Sequence, residues 1–233
     1  MLDLGRDRAY GLRPMRKLIP LLLVLSVCEA QPVFAEDVTD VTGATAAVVT
    51  PPPSTSSRPT ADDVLKMMAS IPEERCLYNR HAKGCDHPGG YDKGPDARRI
   101  ADAIAPAADG SIYGSPRFDA ALMAIFTSYE SGNKADAEGD CNEQHQCRAH
   151  GAFQLWYVSE EIAYDPLRAA PTWRSMAVSS TKTCAKNVDD EKLASLAGGC
   201  TFSKARQKVR QRTQLAREIV DAMAKAGGGP ATR

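Results

Sequence analysis

The 233 residues are 43% hydrophobic and 25% charged with a formal net charge of zero, the balance of a globular chain rather than a disordered or fibrous one. That neutrality argues against nucleic acid as the main partner, because binding a phosphate backbone calls for a basic excess. Seven cysteines without a CxxC pair argue against a thioredoxin-like redox site.

Residues Met15-Arg-Lys-Leu-Ile-Pro-Leu-Leu-Leu-Val-Leu-Ser-Val27 join a basic start to a short apolar run, and Val33-Phe34-Ala35 supplies small residues at a cleavage position. The pattern predicts a secretory signal over residues 1–35. It is too short and wrongly flanked to span a membrane. Met1–Pro14 resembles nothing that export requires, so Met15 is an alternative start. A competing reading makes Cys28 a lipid anchor after Leu25-Ser26-Val27, but Val27 is the wrong residue before such a cysteine. The expectation is a periplasmic or secreted protein, cleaved after Ala35.

Removing Cys28 leaves six cysteines in three local pairs, Cys76 with Cys85, Cys141 with Cys147 and Cys184 with Cys200. An exported chain with an even count implies disulfides, and neighbour pairing is the expected connectivity among fifteen. The alternative for the middle pair is a metal held by Cys141, His145, Cys147 and His150. That spacing fits no common zinc module, so no metal and no cofactor are expected.

Residues 36–60 are rich in Thr, Val, Ala and Pro without a period and read as a mobile linker. One domain is expected over residues 61–227, with a flexible tail at 228–233. Thr60 caps a helix carrying Val64, Leu65, Met68 and Ile71, which Pro72 ends. Glu73 to Gly94 reads as a loop held by the first cysteine pair, and Asp96 to Ala107 as a helix around Ile100 and Ile104.

Phe118, Leu122, Ile125, Phe126 and Tyr129 then recur at helical spacing, with Ser115 as N-cap, Pro116 at the first position and Gly132 as a left-handed stop. Glu130 falls in the last turn beside the apolar stripe. Apolar neighbours and the negative end of the helix both disfavour a charged carboxylate there. The bland alternative is a surface glutamate turned into water.

From Ser131 to His150 the chain is polar and turn-rich, with at most a small hairpin. Ser159 caps a short helix with Glu160 and Glu161, Asp165-Pro166 opens another segment, and Thr172 to Cys184 carries Trp173, Met176 and Ala177 on one face. Asp189 to Leu196 gives one more short helix. Ser203 caps the last and longest, whose first half is basic through Lys204, Arg206, Lys208, Arg210, Arg212 and Arg217. Those charges oppose the helix dipole. They read either as a solvated face or as a contact for an anionic polymer such as cell wall. The fold class expected is mostly α, a compact disulfide-stabilised helical domain.

Tyr129-Glu130-Ser131-Gly132, then Gly139-Asp140, then Gly151-Ala-Phe-Gln-Leu155 resembles the signature of lysozyme-like lytic transglycosylases, a helix ending in Glu-Ser followed by a Gly-x-Phe-Gln segment. The Gly139-Asp140 pair also resembles goose-type lysozymes. The likeness covers roughly Asp96 to Val220, with its specific part in Glu130–Trp156.

The resemblance implies a lysozyme-like fold and cleavage of the MurNAc-GlcNAc bond of peptidoglycan, with Glu130 as the single catalytic acid. It implies that Ser131 orients the acid or a sugar, that Phe153 gives the cleft an apolar wall and that Gln154 bonds an N-acetyl sugar. Gly151 would let backbone approach substrate. Two departures stand out. Trp156 occupies the place where goose-type enzymes carry a second acid. Ser195-Leu196-Ala197-Gly198-Gly199 stands where transglycosylases often show Ala-Tyr-Asn-Ala-Gly.

Glycoside cleavage usually needs two carboxyl groups. With one, the muramic N-acetyl group and C6 hydroxyl supply the other function and give a 1,6-anhydro end. Glu130 would then need a pKa raised toward neutrality. Asp140 is the possible second carboxylate of a muramidase, although an Asp before a disulfide loop commonly makes turn hydrogen bonds. A non-catalytic cell-wall-binding module is the remaining alternative. Trp156 and Tyr157 are candidates to stack on sugars, Trp156 equally for the core. Glycan strands are the expected partner of a monomeric chain.

Overall fold

A computed structural model describes residues 58–78, 85 and 88–227, all belonging to one unit. The signal, Cys28, the linker up to residue 57 and the tail lie outside the described residues. The elements are α1 (Ala61–Ser70), α2 (Glu74–Tyr78), α3 (Ala97–Ala107), α4 (Pro116–Ser131), β1 (Glu138–Gly139), β2 (Ala149–His150), β3 (Leu155–Trp156), α5 (Glu160–Ala163), α6 (Pro166–Thr183) and α7 (Ser203–Gly227). The mostly helical expectation holds. Among the described residues no helix is long and apolar enough to cross a membrane.

Helix α4 is the hub. The Ser115 side chain accepts the Phe118 N–H, Pro116 occupies the first position, and Gly132 closes the helix at φ 63°. The expected one-sided stripe is not what forms. Every residue from Asp119 to Ser128 is buried, so the helix is enclosed all round. Three alanines (Ala120, Ala121, Ala124) let neighbouring helices approach it. The Thr127 hydroxyl returns to the Ala124 carbonyl at 3.1 Å. The buried Asp119 carboxylate accepts the backbone N–H groups of Ile112 and Tyr113, both at 3.1 Å.

Around this hub α1 packs on α3 and α4, α3 on α6, and α4 on α7. Thr60 and Asp63 form a reciprocal capping box at the start of α1. Val64, Met67, Met68 and Ile71 join Ile100, Ile104, Leu122 and Ile125 in one core. Past Gly132 the chain is tied back to the segment before α3. Asn133, at φ 57°, donates to the Tyr91 carbonyl at 2.9 Å, and the Asp96 carboxylate accepts the Ala135 N–H at 2.9 Å.

Four stretches differ from expectation. The loop after Glu73 contains α2 and a 3-10 turn at Tyr91–Lys93. The segments opening at Asp165 and Thr172 are one continuous helix, α6, with Pro171 inside it. Asp189 to Leu196 is two 3-10 turns, Asp189–Glu191 and Ala194–Ala197. The small sheet has three strands in the order β1-β2-β3, both pairs antiparallel, because Leu155–Trp156 adds a strand beyond the expected hairpin.

All three expected disulfides are present: Cys76–Cys85, Cys141–Cys147 and Cys184–Cys200. The first anchors α2, the second closes the loop between β1 and β2, and the third staples the end of α6 to the approach to α7.

Candidate functional site

Glu130 sits at the end of α4 with 27% of its side chain exposed. Its Oε1 accepts a hydrogen bond from Arg212 at 2.5 Å and lies 2.9 Å from the Lys208 ammonium. The two cations are one turn apart on α7, so their side chains meet the same neighbour. Arg212 is fully buried, and its other arm donates to Glu74 of α2 at 3.0 Å. Its guanidinium also lies over the rings of Phe126 and Tyr129, 4.6 and 5.3 Å from their centroids. The result is a four-charge cluster of Glu74, Glu130, Arg212 and Lys208.

This arrangement overturns the expected raised pKa. Burial does push the Glu130 carboxyl upward, but the Arg212 guanidinium and the Lys208 ammonium outweigh it and hold the group below its ordinary value. In the resting protein Glu130 is ionised at neutral pH. It is therefore a base, not a proton donor, until at least one cation leaves it.

Beside the cluster a pocket of about 330 Å³ opens between α2, the 194–197 turn and α7. Tyr78, Phe202, Lys204, Gln207 and Lys208 line it. Tyr78 and Phe202 are exposed large aromatics, so the pocket offers ring faces, an amide and two ammonium groups. Glu130 meets the pocket through one lining residue, Lys208, which pairs with it. The Tyr78 hydroxyl has its pKa raised by burial first and by the Glu74 charge next.

The other expected site residues belong to the small sheet. Phe153 is buried and packs against Trp173, with ring centroids 6.1 Å apart, so it is core and not a cleft wall. Gln154 adopts φ 48°, and its amide nitrogen donates to the carbonyls of Ala137 and Gly151 at 3.3 and 3.0 Å. Both of its N–H donors thus hold the hairpin together rather than facing a sugar. Gly151 is needed at φ 73°, where a Cβ would collide with the Ala163 carbonyl. It lets backbone approach α5, not substrate.

The Ser131 hydroxyl donates to the Thr127 carbonyl at 2.8 Å, within its own helix. Trp156 is 36% exposed and stands edge-on to Tyr157, which is 96% exposed at φ 59°. That leaves the pair as an aromatic projection from the sheet. Asp140 is exposed at φ 50° just before the disulfide loop, with no hydrogen-bond or ion-pair partner among the described residues. The Cys141 and Cys147 sulfurs are bonded to one another, so the metal alternative loses two of its four donors.

Sequence reasoning missed three side-chain pairings besides the Glu130 clamp. Glu191 is fully buried and is held by Arg206 and Arg210, whose hydrogen bonds keep its carboxyl below the ordinary range. Arg217 pairs with Asp190. Of the six α7 cations noted from the sequence, Lys204 alone lacks a carboxylate partner among the described residues. Arg206, Arg210 and Arg217 stay 41%, 49% and 46% exposed, so much of the stripe is a solvated face whose cations are matched by carboxylates. On the sheet, Tyr164 donates to Glu138 at 3.1 Å and lies 3.1 Å from His150 Nδ1. Burial and the Glu138 carboxylate push the Tyr164 hydroxyl up to about 12. The available clue to the α7 pairings was physical: cations crowding the positive end of a helix need carboxylates from elsewhere.

Comparison with family models, with curated proteins and with solved structures returned no match.

Proposed function

We propose that the chain is an exported peptidoglycan lytic transglycosylase in which Glu130 serves as acid and then as base. The order and spacing of Glu130-Ser131, Gly139-Asp140 and Gly151-Ala-Phe-Gln154 motivate the reading. The observation that carries it is the position of Glu130, a partly exposed carboxylate at the end of the hub helix. Through Lys208 it adjoins an open pocket whose exposed rings suit a sugar face.

In the reaction, protonated Glu130 gives its proton to the bridging oxygen as the MurNAc C1–O bond breaks. The GlcNAc end leaves as an alcohol, and the muramic N-acetyl group stabilises the positive C1. The C6 hydroxyl then attacks C1 and yields its proton to the Glu130 carboxylate. This leaves a 1,6-anhydro end and restores the acid.

A second reading, binding of glycan strands without turnover, is favoured by one specific observation, the pairing of Glu130 with Arg212 and Lys208. Mass analysis of a peptidoglycan digest separates the readings. Anhydro-muropeptides from the wild-type protein and none from Glu130→Gln support the transglycosylase. Reducing ends mean a muramidase and bring Asp140 forward. Retention on peptidoglycan with no released fragment leaves only the binding module.

A further inference from the structure

Lys208 belongs to two structures at once. Its ammonium neutralises Glu130, and its side chain lines the pocket beside Tyr78, Phe202 and Gln207. The charge count of the cluster makes this dual membership consequential. Glu74 and Glu130 carry two negative charges, while Arg212 and Lys208 carry two positive ones. Remove Lys208 and two carboxylates share one guanidinium.

The excess negative charge then favours uptake of one proton. Of the two acids, Glu130 is the less exposed, at 27% against 38% for Glu74. Desolvation penalises its charged form more, while Arg212 stays at 2.5 Å and still favours that form, so loss of Lys208 raises the proton affinity of Glu130 without neutralising it. The remaining groups around the cluster are the phenols of Tyr78, Tyr91 and Tyr129, none of which adds a compensating cation.

The two cations differ in mobility. Arg212 is fully buried, pinned by two carboxylates and two rings. Lys208 is 31% exposed on a flexible stem, and among the described residues its one ion-pair partner is Glu130. It is the cation that a ligand can draw away. Lys204 also lines the pocket and has no carboxylate partner among the described residues. An anionic ligand therefore meets two ammonium groups, one of them borrowed from Glu130.

We propose that this pocket seats a carboxylate-bearing glycan unit whose anion takes Lys208 from Glu130, so that the proton affinity of Glu130 rises only when the ligand is bound. This rests on the transglycosylase reading and moves Glu130 toward the acid that the reading needs. Lys208 is here a positioning residue and ligand sensor. The proton comes from solvent, and no bond in the ligand changes until it is in place.

The test is a carbon-13 titration of the Glu130 carboxyl, assigned with Glu130→Gln, in the full exported chain. It is run free, with saturating N-acetylmuramic acid, and with N-acetylglucosamine, which lacks the carboxylate. The muramic sugar is expected to raise the Glu130 midpoint by about one unit or more, and the neutral sugar to leave it in place. In Lys208→Gln the midpoint starts about one unit higher, and the muramic sugar moves it little further. An unmoved midpoint, an equal shift with the neutral sugar, or a wild-type midpoint in folded Lys208→Gln overturns the proposal. Absence of anhydro products in the digest, with the midpoint still responding, removes the transglycosylase and leaves the switch.

Discussion

Glu130 has its ordinary pKa at 4.5 and lies below it in the folded protein, because two cations outweigh its burial. A depressed folded value means that the ionised form contributes stability above the unfolded pKa. The contribution is lost as pH falls through the folded one. Glu130→Gln is therefore expected to lower unfolding free energy at pH 7 by about 1–3 kcal/mol, since it leaves Arg212 buried with Glu74 alone. The gap to wild type should close as the pH is taken below 4.5, as thermal unfolding across a pH series would show. The position of Glu130 was legible because a helix pattern, an N-cap and a glycine stop are local signals. Its electrostatic state was not. Arg212 stands 82 residues further along the chain, and no periodicity within α4 predicts what a distant helix brings to its end.

The small sheet shows how an element can take over residues that a motif assigns to a site. Gly151 faces the Ala163 carbonyl at close range, Gln154 bridges two carbonyls of its own hairpin, and Phe153 enters the core against Trp173. Gly151→Ala should cost about 2 kcal/mol or more, from left-handed strain and the collision with α5 combined. The urea midpoint would report it. Phe153→Ala should destabilise by about 3–5 kcal/mol. Trp156→Ala, at an exposed position, should stay within about 0.5 kcal/mol of wild type while weakening retention on peptidoglycan. Equal and small stability losses at both positions would return Phe153 to a cleft wall.

The same scale explains the boundary errors. The sequence reads as one segment opening at Asp165 and another from Thr172, yet α6 runs through Pro171 between them. The residue whose carbonyl loses its usual donor, Leu167, is solvent-exposed in the first turn. The Glu73–Gly94 stretch reads as loop because five-residue α2 is too short to display a period. Cys76 and Leu77 are buried in it nonetheless.

For the whole molecule, the disulfides and the mostly helical architecture were legible, the former from pairwise proximity of cysteines in a chain whose sequence reads as exported. The electrostatic plan was not. A run of basic residues along α7 suggests a surface made for a polyanion. The fold instead directs Arg206 and Arg210 to the buried Glu191, Arg217 to Asp190, and Lys208 and Arg212 to Glu130. The tertiary partners that settle this come from α4 and from the 189–191 turn, elements whose own sequences say nothing about α7.

A helix whose cations are matched by carboxylates in this way has little net positive field left to hold a counterion atmosphere. Raising salt from roughly 50 to 200 mM should then reduce retention on purified wall by about fourfold or less, the allowance for a single ionic contact. Soluble muramyl fragments should elute the protein where brine does not, and a steep loss in brine would mean that the arginines meet the wall despite their carboxylate partners.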